Sequence, residues 1–283
     1  MNWLIFACIS IVTVSIATIL ERVLMKDTKS DPVSYAITFQ FTVALISFLF
    51  AILFGKFVLP PLGTLWPRFV LSSFLWAGAT VFGFQAIKRL SAGEVTILTT
   101  TSSVVSIALG IFFLKELFNI QMALGALLIF IAIWIVNSAK ATFHSREGII
   151  FALLSAVCAG AAVVNDAVIL KGYEAFSYTA IMSLLPGVIL VLLFPRSMKK
   201  VAPLMNKKTI GLFFVFCLFY SLQAITYYLA FENNAPVSQL SPFMKSSIVS
   251  IVILEAIFLR ERKNMGKKIV AAILVTAGVI LLG

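Results

Sequence analysis

The sequence predicts an all-α integral membrane protein of ten transmembrane helices, built as two inverted five-helix repeats. Three observations carry this. Of 283 residues 61% are hydrophobic and only 12% charged, with mean hydropathy +1.08, whereas about a quarter of a soluble domain is charged. The charged residues are bunched between long apolar runs rather than spread along them. A segment of the first half also recurs in the second.

Crossing the hydrocarbon core as a helix takes about 20 apolar residues. Ten stretches qualify: 3–25, 33–55, 67–88, 93–114, 119–139, 148–170, 175–194, 209–231, 236–259 and 267–283. The first begins MNWLIFACIS, which lacks the basic n-region of a secretory signal and runs into too long an apolar stretch, so it reads as a helix of the mature protein. Pro32, Pro67 and Pro236 fall at or just before the first turns of the second, third and ninth spans, where a missing N–H costs nothing. The fifth and tenth carry no charge in GALLIFIAIWIV (125–136) and AAILVTAGVILL (271–282), and their small residues suit close helix packing. In the seventh, Pro186-Gly187 marks a kink, read as ordinary accommodation rather than a gate. Only 60–66, 140–147 and 195–208 are long enough to be loops. Such runs satisfy their own backbone in lipid as helices, not as barrel strands.

The repeat divides the chain at 1–140 and 147–283. SSVVSIALGIFFLKE (102–116) recurs as SSIVSIVILEAIFLRE (246–261), first at a shift of 144 and then of 145. At 145, Glu21 falls on Asp166 and Lys26 on Lys171, and at 143 Ser34-Tyr35 meets Ser177-Tyr178. Five is odd, so the second copy enters the membrane from the opposite side. Inverted repeats of this kind are common in secondary transporters, where two similar halves exchange conformations about a midplane site.

Two five-helix halves, each with a fourth span ending in a Leu-Lys/Arg-Glu signature (FFLKE at 112–116, FLRER at 258–262) before a small-residue-rich fifth, resemble the EamA-like branch of the drug/metabolite transporter superfamily. The resemblance spans Trp3 to Leu282. It implies a ten-helix carrier whose central cavity is lined mainly by spans 1, 3, 4, 6, 8 and 9. It does not choose among amino acids, nucleotide sugars, phosphorylated metabolites and cationic drugs as cargo.

Lys245 stands about ten residues into the ninth span, roughly 14 Å deep at 1.5 Å per residue. A lysine there costs about 2.5–3.5 kcal/mol on insertion scales, so it is expected to face a cavity or a partner. Pro242 loosens the helix beside it, and Thr101, in the polar run TTTSS (99–103), takes its place in the first half. Glu255 is ten residues further on, roughly 15 Å along the helix, too far to pair directly. It reads either as an interfacial partner of Arg260 and Arg262 or as a proton-binding site. Glu21 and Asp166, late in the opening helices of the two halves, read either as interfacial ion-pair members or as parts of two gates that open alternately. Asn165 adds a hydrogen-bonding side chain. Gln223 and Tyr227, at i and i+4, share a face of the eighth span and add two more.

Catalytic motifs are absent: no HExxH, no GxSxG, no phosphate-binding glycine loop and no cysteine cluster. Cys8, Cys158 and Cys217 each lie within a span and read as packing residues, and His144 has no ligand set around it. No cofactor or metal is expected, and the net charge of +11 reflects membrane topology rather than nucleic-acid binding. Lys and Arg number 17 in connections 1–2, 3–4, 5–6, 7–8 and 9–10 but 4 in the others. That bias places both termini outside the cytoplasm, whereas the resemblance implies cytoplasmic termini for many relatives. The expectation is a non-enzymatic, multi-pass protein of a prokaryotic plasma (inner) membrane. Its partners would be a small-molecule substrate, membrane lipid and a coupling proton or ion. It would carry a small polar or amphipathic metabolite, anionic or zwitterionic in view of Lys245. A lipid-linked sugar flippase, a cationic drug exporter and a non-transporting scaffold stay open beside it, as do direction and oligomeric state.

Overall fold

The computed structural model describes residues 3–25, 31–54, 57–60, 63, 65–90, 92–137, 145–200, 209–248, 250–251 and 265–282. Eleven α-helices run through them: α1 (Trp3–Met25), α2 (Pro32–Leu53), α3 (Trp66–Arg89), α4 (Ala92–Thr99), α5 (Thr101–Leu114), α6 (Ile120–Asn137), α7 (Arg146–Ile169), α8 (Ala175–Leu193), α9 (Ile210–Glu232), α10 (Val237–Met244) and α11 (Met265–Leu282). No strand occurs among the described residues. Seven candidate spans are long and apolar enough to cross a bilayer, one of them Ile97–Leu114, and the apolar stretches Ile120–Ile135 and Ile273–Leu282 are shorter. Taking α4 and α5 as one span, the ten expected spans each contain helix.

Two expected helices are not continuous. The fourth breaks at Thr100, where Thr100 N donates to Ile97 O (3.2 Å) and Ser103 N to Thr100 O (3.0 Å). The ninth breaks at Lys245-Ser246, where Lys245 N donates to Pro242 O (3.1 Å) and Ser246 N to Phe243 O (3.0 Å). These i→i−3 bonds replace the α-helical i→i−4 pattern. Hydroxyls compete with the backbone ladder for the carbonyls at both breaks: Ser102 Oγ donates to Thr99 O at 2.7 Å and Ser103 Oγ to Ser241 O at 3.1 Å.

Helix starts are capped by side chains. Asp31 accepts from Ser34 N (3.1 Å) and Glu174 from Ser177 N (2.8 Å), so α2 and α8 open on the same acid-x-x-serine arrangement. The glutamate of the FFLKE signature caps a helix of the other half. Glu116 accepts from Val237 N and Ser238 N, both at 2.7 Å, at the start of α10. Gly110 leaves room for it, since a Cβ there would lie 3.0 Å from Glu116 Oε2.

The most extensive helix contacts are α1 with α9, α7 with α3, α2 with α8 and α6 with α11. Renaming each helix by its counterpart in the other half returns the same set of pairs. At the crossing of α6 and α11, a Cβ on Gly125 would lie 2.7 Å from Gly278 O, and one on Gly278 would lie 2.7 Å from Gly125 O. Backbone meets backbone there, so Gly278→Ala is expected to cost about 1–3 kcal/mol through overpacking. Gly211→Ala, where nothing lies within 4 Å, is the control. Thermal unfolding in detergent should show a lower midpoint for the first variant and none of that loss for the second.

Candidate functional site

The two helix breaks face each other inside the bundle. Lys245 Nζ donates to Thr99 O at 3.3 Å, and Ser103 Oγ donates to Ser241 O at 3.1 Å. A loosened turn in each half exposes main-chain carbonyls that side chains of the other half satisfy. Beside this junction lies a cavity of about 300 Å³, lined by the hydroxyls of Ser102, Ser103 and Ser106, the amides of Gln40 and Gln223, the rings of Trp76, Tyr220 and Tyr227, and Lys245. Among its lining residues Lys245 is the one charged side chain. An ammonium has three donors, and among the described residues the Thr99 carbonyl is its one hydrogen-bond partner.

A smaller cavity of about 180 Å³ adjoins it, sharing Phe39, Trp76, Thr80, Ala159 and Tyr220. It reaches toward the end of the bundle where α1 and α3 finish, and Glu21 and Ile87 line it there.

The opposite end is held by Asp166, which is fully buried on α7. Its Oδ1 accepts from Ser72 Oγ (2.6 Å) and Tyr178 OH (2.5 Å), and its Oδ2 from Trp76 Nε1 (2.8 Å) and Tyr228 OH (3.3 Å). The donors come from α3, α8 and α9, so one carboxylate ties four helices together. Hydrogen bonds to a charged group are worth about 1.5–3 kcal/mol each, and a set this complete suits an ionised carboxylate. Asn165 extends the tie: its Nδ2 donates to Ser72 Oγ (2.7 Å) and Arg68 O (2.8 Å), while Arg68 Nη1 donates to its Oδ1 (3.1 Å).

Comparison with known proteins decides the family. The model of the EamA-like transporter family matches twice, over residues 1–138 and 146–283. The chain belongs to the EamA-like transporter family. One solved crystal structure, titled only as that of a protein, aligns with this EamA-like transporter at a TM-score of 0.76 and 15% identity, covering 98% of this chain and 94% of the other. At that identity the likeness speaks for the fold alone. No curated protein matches the chain.

Within this EamA-like transporter, Lys245, Gln223 and Tyr227 all line the larger cavity, and Glu21 lines the smaller one. Thr101 begins α5 and is not among the lining residues, because the break sets Ser102 and Ser103 there instead. Asp166 and Asn165 stand apart from the cavity lining in the buried tie, and the groups bonded to Asp166 are neutral donors rather than an ionic partner. Glu255 and His144 lie outside the described residues. Ser72, Trp76 and Arg68 escaped the sequence reading because they sit on a helix remote in sequence from Asp166. Tyr178 had a signal, since it matches Tyr35 in the repeat.

Asp166→Asn removes the charge and one acceptor site while four donors remain. It is expected to lower the unfolding midpoint of this EamA-like transporter, and Tyr178→Phe to lower it less. In a double-mutant cycle read by thermal unfolding, the two losses should be non-additive by about 0.5–3 kcal/mol, as for groups in one network.

Proposed function

We propose that this transporter is a secondary-active carrier that moves a small anionic or zwitterionic metabolite by alternating access, its cargo held beside Lys245. The carrying observation is the cavity itself: one ammonium, no carboxylate among the lining residues, and a wall of hydroxyls, amides and aromatic rings. A cation of this kind attracts a carboxylate or phosphate and repels a cationic drug. Glu21 in the adjoining cavity, beside Trp76 and Tyr220, favours a zwitterion within that class, with an amino group toward Glu21. The sequence has no nucleotide-binding motif, so an ion or substrate gradient supplies the energy.

The two-fold inverted repeat belongs to the same reading. It is supported by the duplicated caps, by breaks in the corresponding fourth and ninth spans, and by helix pairs that survive exchange of the halves. The charge bias of 17 to 4 sets the ends of α1, α3 and α8 at the cytoplasmic face, so the Glu21 end of the cavity faces the cytoplasm and Asp166 lies near the outside.

Lys245→Met keeps the length and removes the charge. On the purified protein, a panel of small carboxylates, amino acids and phosphorylated metabolites should include one that raises the wild-type unfolding midpoint by mass action. The same compound should leave Lys245→Met unshifted while the variant stays helical by circular dichroism. A variant that unfolds and is restored by a charge-swapped partner would instead make Lys245 a structural ion-pair member.

Orientation has its own test. A cysteine placed at Arg196, on a background lacking Cys8, Cys158 and Cys217, is expected to react with an impermeant thiol reagent only from the cytoplasmic side. Labelling on intact cells reverses the assignment.

A further inference from the structure

We propose that Tyr35 is the positioning residue of a second clasp, donating to Glu21 and closing the cytoplasmic end of the bundle when the Asp166 clasp at the other end opens. The inference rests on the carrier reading above and gives its two gates their residues.

The two clasps share a construction. Asp31 caps α2 and Glu174 caps α8, and in each case a tyrosine stands four residues on, Tyr35 and Tyr178, in the first turn. Glu21 and Asp166 are equivalent positions late in α1 and α7. One copy is engaged: Tyr178 OH donates to Asp166 at 2.5 Å. The other is not. The Tyr35 ring is fixed edge-on against Phe84 (centroids 5.0 Å) and Phe213 (5.4 Å) and is 4% exposed, yet its buried hydroxyl has no hydrogen-bond partner among the described residues. The carboxylate it would meet is nearby: Glu21 lines the smaller cavity together with Phe84, the ring against which Tyr35 packs.

Burying a hydroxyl without an acceptor is unfavourable, and a packed ring holds it ready rather than letting it turn to solvent. Among the described residues Tyr35 therefore lacks the acceptor that its counterpart Tyr178 has. When the halves exchange conformations, α1 brings Glu21 onto Tyr35 while Tyr178 and Tyr228 release Asp166. A hydrogen bond to a carboxylate made in one state only shifts the population of that state by roughly tenfold to a hundredfold.

The test reads access from each side. A reporter cysteine replaces Ala224, which lines the larger cavity, in the background without native cysteines, and the protein is reconstituted in vesicles of known orientation. The rate of labelling by an impermeant thiol reagent is measured separately at each face. Tyr35→Phe should raise the ratio of cytoplasmic to outside labelling by roughly tenfold to a hundredfold, and Tyr178→Phe should lower it by a similar factor. Thermal unfolding gives a second measure. Tyr35→Phe should leave the midpoint unchanged or raise it, because the hydroxyl it removes has no partner here. The inference is overturned if Tyr35→Phe leaves the ratio unchanged, if both variants move it in one direction, or if Tyr35→Phe unfolds as early as Tyr178→Phe. Labelling from one face alone in wild type and every variant would overturn the carrier reading instead.

Discussion

In hydrocarbon a peptide group cannot turn to water, and that constraint governs where this chain is allowed to be irregular. The described spans are helical except for two turns, at Thr100 and at Lys245-Ser246, and those two turns lie against each other. The Thr99 carbonyl, released on one side, receives both Lys245 Nζ and Ser102 Oγ, and Ser103 Oγ reaches the carbonyl of Ser241 on the other. Polarity in the middle of the membrane is thus bought as a matched pair of defects rather than as isolated polar residues. The cavity forms beside that pair because unwound backbone and hydroxyl side chains tolerate a water-filled neighbour where a lipid-facing helix would not.

Asp166 and Lys245 are met in different ways. Asp166 has a complete set of neutral donors drawn from three other helices, and removing any of them would leave the others in place. Lys245 has one carbonyl among the described residues and donors to spare. A saturated charge holds structure together, while an under-satisfied one can still recognise something. Glu116 belongs with Asp166, since both of its oxygens are taken by the start of α10.

Much of the fold was legible because hydropathy reports directly on length in a bilayer: span limits read from the sequence fall within a few residues of α1 through α3 and α6 through α9. The breaks were not, since a threonine and serine run is compatible with helix until a partner segment competes for its carbonyls. Nor were the donors to Asp166, because Ser72 and Trp76 lie 94 and 90 residues away in the chain and carry no local pattern. Glu116 is the instructive middle case. It was visible as part of a signature, but its role as a cap on the opposite half appears only once α10 is in place.

The glycine crossing of α6 and α11 has a mechanical side. Each glycine abuts the other's carbonyl at the same 2.7 Å, so the contact is its own mirror image when the halves are interchanged. Under the proposed exchange of the halves, contacts that are not self-mirrored, such as the Asp166 clasp, would have to be broken and rebuilt. A self-mirrored one need not be touched. In the carrier proposed above, Gly125 and Gly278 would serve as a fulcrum: a point about which the rest of the bundle could rock while its own separation stays constant, set close enough that no side chain can cushion or shift it.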